Sequence, residues 1–209
     1  TGDVLARLEG RIDGLRFGKS IASVGDLDSD GKSDIAVGTG ARWPGEPEVD
    51  GYVRLFSSAN GRLLRELMSP YAGIVNRPDE FSSSLAAAGD VNGDRVPDLF
   101  VGARSARPTG AEFDGLVFLW SGRDGALLQQ FDGCSAYPLS RHALLFGDSV
   151  AGPGDLDGDG IPDLFASAPY DIPIRITKDG RKETIRDQMG SVRAASGKTG
   201  ASLWALRGP

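Results

Sequence analysis

Three stretches of the chain align with one another almost without gaps, and this internal repeat constrains the fold more than any other feature. They begin at Phe17, Phe81 and Phe146 and read FGKSIASVGDLDSDGKSDIAVGTG, FSSSLAAAGDVNGDRVPDLFVGAR and FGDSVAGPGDLDGDGIPDLFASAP. Each is followed by a second shared pattern: DGYVRLFSSANGRLLREL, DGLVFLWSGRDGALLQQF and MGSVRAASGKTGASLWAL. Self-similarity at a fixed period is the signature of a repeat architecture.

Within each repeat the local signals favour strands. Short apolar runs such as 99–101 lie between Asp and Gly, and Asn60-Gly61 and Asp124-Gly125 are typical hairpin turns. No segment keeps a helical apolar stripe for three turns. We predict four strands per repeat: one before an Asp-rich loop, one after it, and a closing hairpin. This pattern favours an all-β fold, a β-propeller with three four-stranded antiparallel blades in this chain. A β-sandwich with coincidental similarity is the alternative.

The phase of the repeat predicts the domain boundaries. Residues 1–10 match the end of the second pattern, so we expect a leftover outer strand of a preceding or neighbouring blade. A propeller ring typically has about four to eight blades, so three blades need others to complete it. Two kinds of partner remain open. One is a second copy of the chain, in a dimer that closes a six-bladed ring, and the other is the rest of a longer propeller. The predicted blades are 11–68, 69–132 and 133–209, the last with an inserted hairpin at 171–187.

The Asp-rich loops predict metal binding. Oxygen side chains fall at loop positions one, three, five and nine, and the carbonyl of position seven is free to contribute. Ca²⁺ prefers about six to eight hard oxygen ligands, whereas Mg²⁺ demands stricter octahedral geometry and Zn²⁺ prefers Cys and His. The predicted ligands are Asp26, Asp28, Asp30, Lys32 and Asp34; Asp90, Asn92, Asp94, Val96 and Asp98; and Asp155, Asp157, Asp159, Ile161 and Asp163.

Two alternatives to calcium loops of this type are an EF-hand and plain polar turns. An EF-hand has flanking helices and a Glu at position twelve, where these loops have Val37, Val101 and Ala166. Clustered Asp also occurs in turns without a metal, but three copies in one register make that explanation weak.

The three sites are not expected to be equal. The middle loop has Asn92 in place of Asp, and Arg95 where the other loops have Gly31 and Gly160. Position six is a sharp turn at which Gly tolerates positive φ, so Arg95 carries a cost. We predict three Ca²⁺ sites with the middle one weakest, and a structural role in which each ion joins the first strand of a blade to the second.

The motifs together resemble a known family. Phe17-Gly18, Phe146-Gly147, the Asp-rich loops, the Pro-Asp-Leu after two of them and Ser167-Ala168-Pro169 are similar to the FG-GAP repeat, the blade of the integrin α-subunit propeller. The resemblance implies a seven-bladed ring with Ca²⁺ in the loops, and proteins that are typically extracellular or at the cell surface. Phe81-Ser82 departs from the pattern.

Loop length predicts which end of the blades binds a ligand. In a four-stranded meander, the calcium loops and the short closing hairpins share one end, and the long connections share the other. Long loops on a rigid scaffold commonly carry function, and Arg with aromatic residues is a typical composition for recognising proteins or glycans. Packing of these side chains within their own loops is the alternative. The candidates are Trp43, Tyr71, Arg77, Arg104, Arg107, Phe113, Tyr137, Arg141, His142 and Tyr170.

Composition excludes several other functions. The formal net charge of -6 argues against nucleic acid as a partner, and no apolar run is long enough to span a membrane. With one His and one Cys, any triad must use His142. A carboxylate pair for glycoside chemistry from Glu46, Glu48, Asp79, Glu80 or Glu112 is disfavoured, because scattered acids are common in long loops. We therefore expect no enzyme.

The leading hypothesis is a calcium-stabilised binding module, extracellular or at the cell surface, whose secretion signal has been removed or lies outside this chain. The alternatives are a natural or designed propeller half that self-assembles, and the accessory propeller of an enzyme acting on carbohydrate or lipid. The sequence alone does not name the ligand.

Overall fold

The computed structural model describes residues 7–11, 15–39, 51–72, 79–107, 115–133, 145–171, 174–176, 182–184 and 190–208. Every regular element in these ranges is a β-strand, which confirms the all-β prediction. The strands form three four-stranded antiparallel sheets and one two-stranded sheet. Within the described residues, no helix is long and apolar enough to cross a membrane.

Each four-stranded sheet is one blade, and its strands are neighbours in chain order. Blade 1 contains β1 (Ser20–Gly25), β2 (Asp34–Gly38), β3 (Tyr52–Phe56) and β4 (Leu63–Met68). Blade 2 contains β5 (Phe81–Gly89), β6 (Asp98–Ala103), β7 (Leu116–Trp120) and β8 (Leu127–Asp132). Blade 3 begins with β9 (Val150–Gly154) and β10 (Asp163–Ala168); the pair β11 (Ile174–Ile176) and β12 (Lys182–Thr184) is inserted, and β13 (Ser191–Ala195) and β14 (Ser202–Arg207) complete the sheet.

An irregularity in strand pairing recurs directly before each Asp-rich loop. The register of the first two strands shifts between Ser23 and Gly25 in blade 1 and between Ala87 and Gly89 in blade 2. The corresponding strands of blade 3 shift at the same place, near Gly154. A β-bulge bends the strand and changes the direction of the chain beyond it. The bulge therefore sets the direction in which each loop leaves its sheet.

The hydrophobic core lies between the blades. Val24 and Leu55 of blade 1 pack with Phe81 and Phe118 of blade 2 in one buried cluster. A second cluster joins residues of blade 2 such as Phe100, Val117 and Leu119 to Phe146 and Leu164 of blade 3. Blade 2 is thus apolar on both faces, which explains why its strands β6 and β7 are nearly continuous apolar runs.

Two motif residues of the repeat meet across each joint between blades. A Cβ added to Gly25 would lie 2.6 Å from Pro97 Cγ of the next blade, and one added to Gly89 would lie 2.9 Å from Pro162 Cγ. Real Cβ atoms do not approach so closely, so glycine is required for the proline ring to fit. The Gly-Asp and Pro-Asp-Leu motifs therefore hold neighbouring blades in register.

The predicted leftover strand at 1–10 lies mostly outside the described residues. Residues 7–11 form no strand but contact β3 of blade 1. Arg54 Nη1 donates a hydrogen bond to the carbonyl of Glu9 at 2.9 Å, and Arg11 N donates to Tyr52 Oη at 2.7 Å. The boundaries assigned to the blades stay predictions.

Candidate metal centres

The three Asp-rich loops have one backbone conformation. Positions four and six have positive φ in each loop: 64° and 82° at Ser29 and Gly31, 79° and 70° at Gly93 and Arg95, and 80° and 87° at Gly158 and Gly160. These alternations fold the chain tightly around the first Asp. A left-handed conformation is unfavourable for a residue with a side chain, so the conformational cost expected at Arg95 applies to Ser29 as well. Ser29 stands where the other loops have Gly.

The first Asp of each loop accepts hydrogen bonds from backbone N–H groups of positions four to six. Asp26 accepts from Asp30 N at 3.1 Å and Gly31 N at 2.8 Å. Asp155 accepts from Gly158 N at 2.7 Å and Gly160 N at 2.8 Å, and Asp90 does the same in the middle loop. The Gly31 and Gly160 N–H groups hold the pKa of Asp26 and Asp155 below the usual 3.8. These carboxylates are therefore ionised near neutral pH.

The last Asp of each loop is buried and joins the loop to the closing hairpin of its own blade. Asp34 Oδ2 accepts from Leu27 N at 2.8 Å, and its Oδ1 accepts from Ser58 N at 3.0 Å. The equivalent bonds run from Val91 N and Gly122 N to Asp98, and from Leu156 N and Gly197 N to Asp163. The Asp-rich loops and the closing hairpins therefore lie at one end of the blades. Burial raises the pKa of Asp98.

The Asp-rich loops of blades 1 and 3 each bring three carboxylates together. One oxygen from each of Asp26, Asp28 and Asp34 lies within 4.8 Å of the others, and the same holds for Asp155, Asp157 and Asp163. Asp28 Oδ1 is buried without a hydrogen-bond partner. A buried, unpaired carboxylate oxygen is costly unless a cation neutralises it. This donor set is all oxygen, and it fits a hard divalent cation such as Ca²⁺.

The middle loop neutralises part of its own charge. Asn92 Nδ2 donates to Asp94 Oδ2 at 3.0 Å, and Arg123 Nε lies 3.3 Å from the same oxygen. Burial raises the pKa of Asp94, but the Val96 N–H, Asn92 and Arg123 outweigh it, so that the net shift is downward. The Asp94 carboxylate, at position five of the loop, therefore already has two side-chain partners.

Sequence reasoning missed the cations that reach the loops from the hairpins. Arg62 Nη2 lies 3.3 Å from Asp28 Oδ2, and Lys198 Nζ lies 3.6 Å from Asp159 Oδ2. Arg123 and Lys198 occupy the same position of the repeat, directly after a Ser-Gly pair, so this signal was present in the alignment. Arg62 comes from a different position, and no repeat pattern predicts it.

At the opposite end of the blades, two candidate binding residues serve packing. Tyr71 packs against Phe118 and donates to Gln130 Oε1 at 2.9 Å. Arg104 pairs with Glu80 of its own blade and with Asp148 of blade 3, which raises the pKa of the guanidinium. For Tyr71 and Arg104, the structure therefore favours the alternative to ligand binding, in which the side chain packs within the protein.

Tyr170 is exposed, and Arg107 is also among the described residues. The remaining candidates lie outside the described residues: Trp43, Arg77, Phe113, Tyr137, Arg141 and His142.

Two of the five acids considered for glycoside chemistry are described, and both hold structure together. Asp79 is buried, where it accepts a hydrogen bond from Ser69 Oγ and another from Phe81 N at 2.9 Å. Glu80 pairs with Arg104. Glu46, Glu48 and Glu112 lie outside the described residues.

The fold and the loops define a class of protein, a repeat protein of four-stranded propeller blades with an acidic loop between the first two strands of each blade. A family model for the FG-GAP repeat matches residues 17–56, 81–120 and 146–181. The chain belongs to the FG-GAP repeat family.

The curated relatives include integrin α-subunits. Human integrin alpha-7 is 32% identical over 162 residues, covering 76% of this chain and 12% of its own. Human integrin alpha-D is 31% identical over 166 residues (78% and 14%), and mouse integrin alpha-2 is 31% identical over 160 residues (74% and 13%). The chain therefore spans a small part of these relatives.

Solved structures with similar shape include rhamnogalacturonan lyases. The PL11 rhamnogalacturonan lyase of Bacillus licheniformis has a TM-score of 0.41 and 18% identity, covering 92% of this chain and 39% of its own. The exotype rhamnogalacturonan lyase YesX has a TM-score of 0.44 and 20% identity, covering 92% and 38%.

Proposed function

We propose that this chain is a calcium-stabilised, non-enzymatic interaction module that works outside the cell or at its surface. The observation that carries the proposal is the buried, unpaired Asp28 Oδ1 within a carboxylate cluster whose geometry recurs in the third blade. Such a cluster is electrostatically unfavourable alone and favourable around a cation.

In each loop the ligands are the carboxylate or amide oxygens of positions one, three, five and nine and the carbonyl of position seven. A bound Ca²⁺ supplies positive charge that offsets the repulsion between these carboxylates. Because it binds the folded loop, it stabilises the fold by mass action. Through the Asp at position nine, this stabilisation reaches the closing hairpin as well as the first two strands. Extracellular calcium modules have dissociation constants of about 10⁻⁴–10⁻³ M, so millimolar calcium fills at least about half of such sites.

The middle site is the weakest of the three. Its Asn92 lacks the negative charge that Asp28 and Asp157 supply in the other loops, so fewer charges attract a cation. Arg95 also holds a left-handed conformation at position six, where the other loops have Gly. The hairpin cations do not distinguish the sites, because each loop has one such cation near a carboxylate.

Calcium titration by calorimetry on the EDTA-treated chain tests this part of the proposal. We expect Asp28→Asn and Asp157→Asn each to weaken one of the two tighter sites by tenfold or more. The matched control is Asp124→Asn, which removes a carboxylate from the hairpin at the same end of blade 2 but outside the loops. Equal effects of the control and the loop variants would contradict metal binding by the loops.

The binding face is assigned to the end with the long connections. The hydrogen bonds that Asp34, Asp98 and Asp163 accept from the hairpins support this, because they put the metal loops and the short turns at the other end. We propose a protein or a glycan as the ligand, and Tyr170 and Trp43 as contact residues. The structural use of Asp79 and Glu80 supports a role without catalysis.

Capture on arrays of purified extracellular-matrix proteins and of immobilised glycans tests the binding face. We expect a hit that Trp43→Ala or Tyr170→Ala reduces at least tenfold, with the calcium titration unchanged. Asn60→Ala, in a hairpin at the metal end, is the matched control and should bind normally. A hit that responds only to the control would move the ligand to the other end and overturn the assignment.

A further inference from the structure

Each closing hairpin carries one basic residue, which lies beside the Asp-rich loop of the same blade. The six-residue turns at 57–62, 121–126 and 196–201 read SSANGR, SGRDGA and SGKTGA. We call their basic residues, Arg62, Arg123 and Lys198, the hairpin cations. A nitrogen of each lies close to a carboxylate oxygen of its loop, at 3.3 Å in blades 1 and 2 and at 3.6 Å in blade 3. One positive charge therefore accompanies each acidic loop.

The position of the cation within the hairpin varies, but its place beside the loop does not. In blades 2 and 3 the cation is the third residue of the hairpin, and the sixth residue is Ala126 or Ala201. In blade 1 the third residue is Ala59, and the cation is the sixth residue, Arg62. A role in the turn itself would need one fixed position. The three blades share a charge beside the loop instead, which points to a role towards the loop.

In blades 2 and 3 the cation lies near the carboxylate oxygen that receives no bond from the loop backbone. Asp94 Oδ1 accepts a hydrogen bond from Val96 N at 2.8 Å, and Asp159 Oδ1 accepts one from Ile161 N at 2.9 Å. The hairpin cation lies near Oδ2 of the same carboxylate in each case. The backbone of the loop and the cation thus divide the two oxygens between them.

In blade 1 the cation compensates only part of the charge in its loop. Arg62 Nη2 donates to Asp28 Oδ2 at 3.3 Å, whereas Asp28 Oδ1 is buried without a hydrogen-bond partner. Oxygens of Asp26 and Asp34 lie within 4.8 Å of Asp28. One positive charge offsets only part of the repulsion among three carboxylates. The cation is therefore an incomplete substitute for a divalent ion.

The contacts between the hairpin cations and the loops are weak enough to exchange. The three basic side chains are between 55% and 63% exposed. Ion pairs as exposed as these contribute little, because water screens the charges and a long side chain loses freedom when it is held in one place. Arg62 and Lys198 each reach their loop through a single nitrogen. Such a side chain moves into solvent at little cost.

We propose that each hairpin cation is the counter-ion of its loop in the metal-free chain and competes with calcium for the carboxylates. The proposal rests on the proposed function, since it presupposes that the loops bind calcium. The same carboxylates attract the calcium ion and the basic side chain, and the two positive charges repel each other. The hairpin therefore lowers the affinity of its loop and sets the calcium concentration at which the loop fills.

Calcium titration by calorimetry, on EDTA-treated full-length variants at low salt, tests the proposal. Arg62→Gln and Lys198→Gln should each tighten one of the two tighter sites by about three- to tenfold, the effect of a unit charge several ångströms from a divalent ion near water. Arg123→Gln should tighten the weaker site to a similar extent. Lys19→Gln is the matched control, because Lys19 is exposed next to the start of β1, at the end of blade 1 opposite the loop. It should leave all three sites unchanged.

Two further measurements separate charge from other effects of the substitution. Adding Ala59→Lys to Arg62→Gln should return the affinity to that of the unmodified chain, since it places a cation at the hairpin position of Arg123 and Lys198. The ratio of affinities between Arg62→Gln and the unmodified chain should fall below about twofold in about 1 M salt, where the Debye length is about 3 Å.

Four results would overturn the proposal: unchanged or weakened calcium affinity in Arg62→Gln and Lys198→Gln, equal tightening by Lys19→Gln, no reversal by Ala59→Lys, or a tightening that persists in high salt. In each of these the unmodified chain still takes up calcium, so the proposed function stands. The absence of calcium uptake by the unmodified chain and by every variant would refute calcium binding itself, and the competition with it.

Discussion

The buried Asp at position nine has a structural role that is separable from metal binding, and Asp34→Asn tests this separation. Asp34 is fully buried, and its two oxygens accept from Leu27 N and Ser58 N. An amide of the same shape keeps one of these bonds and turns an NH₂ group towards the other N–H. The lost charge-assisted bond and the unsatisfied buried donor cost about 1–3 kcal/mol. This loss should be present in EDTA.

Asp30→Asn is the matched variant in the same loop. Asp30 is exposed and accepts one local bond from Lys32 N at 2.9 Å. In EDTA its free energy of unfolding should change by no more than about 0.5 kcal/mol. Both variants should lose part of the stabilisation that calcium adds to the unmodified chain.

Urea unfolding followed by circular dichroism, with and without calcium, measures both effects. The reasoning predicts a difference between the two variants in EDTA of at least about 1 kcal/mol, with Asp34→Asn the less stable. Equal unfolding free energies for the two variants in EDTA would refute the structural role of Asp34 and leave it as a metal ligand alone.

Three further changes probe the blades and the middle loop. Arg95→Gly should stabilise the chain by up to about 1 kcal/mol and tighten the weakest calcium site, because a left-handed conformation is unfavourable for Arg; urea unfolding and calorimetry measure the two effects. In urea unfolding, Gly89→Ala should be less stable than Gly154→Ala by about 1–3 kcal/mol, since both positions have positive φ but only the former places a Cβ against Pro162. Arg104→Gln should cost about 1 kcal/mol, limited by the 37% exposure of the side chain, and the loss should shrink in high salt.

Each of these three predictions has its own contrary result. No gain from Arg95→Gly would mean that the surrounding hydrogen bonds offset the strain at Arg95. Equal losses for the two glycine variants would remove the Gly89–Pro162 contact from the joint. A salt-independent loss for Arg104→Gln would indicate lost packing and not lost charge.

The strand pattern of the fold was predictable because the repeat is nearly free of gaps. Three aligned copies fix where the strands of each blade begin and end around the Asp-rich loop and the Asn60-Gly61 or Asp124-Gly125 turns. Contacts between blades were not predictable from one sequence, since Gly25 and Pro97 lie in different repeats. The reason why the motif has glycine at the one position and proline at the other becomes clear only when the packing of the two blades is known.

The ligand positions could be predicted from side-chain chemistry and spacing, whereas their hydrogen bonding could not. The spacing does not distinguish the exposed Asp30 from the buried Asp34. Burial of position nine depends on the closing hairpin, whose Ser58 is 24 residues away along the chain. Arg104 and Tyr71 show the limit of composition: both types of residue are common in binding surfaces, yet here Arg104 joins blades 2 and 3 and Tyr71 packs against blade 2.

Calcium stoichiometry, measured by equilibrium dialysis of the full chain against radiolabelled Ca²⁺, tests the central claim most directly. The account predicts three ions per chain at saturation, in a tighter class of two and a weaker class of one that Asp90→Asn removes. The absence of any bound ion at millimolar calcium would contradict the account. Loss of one of the two tighter sites in Asp90→Asn would contradict it as well.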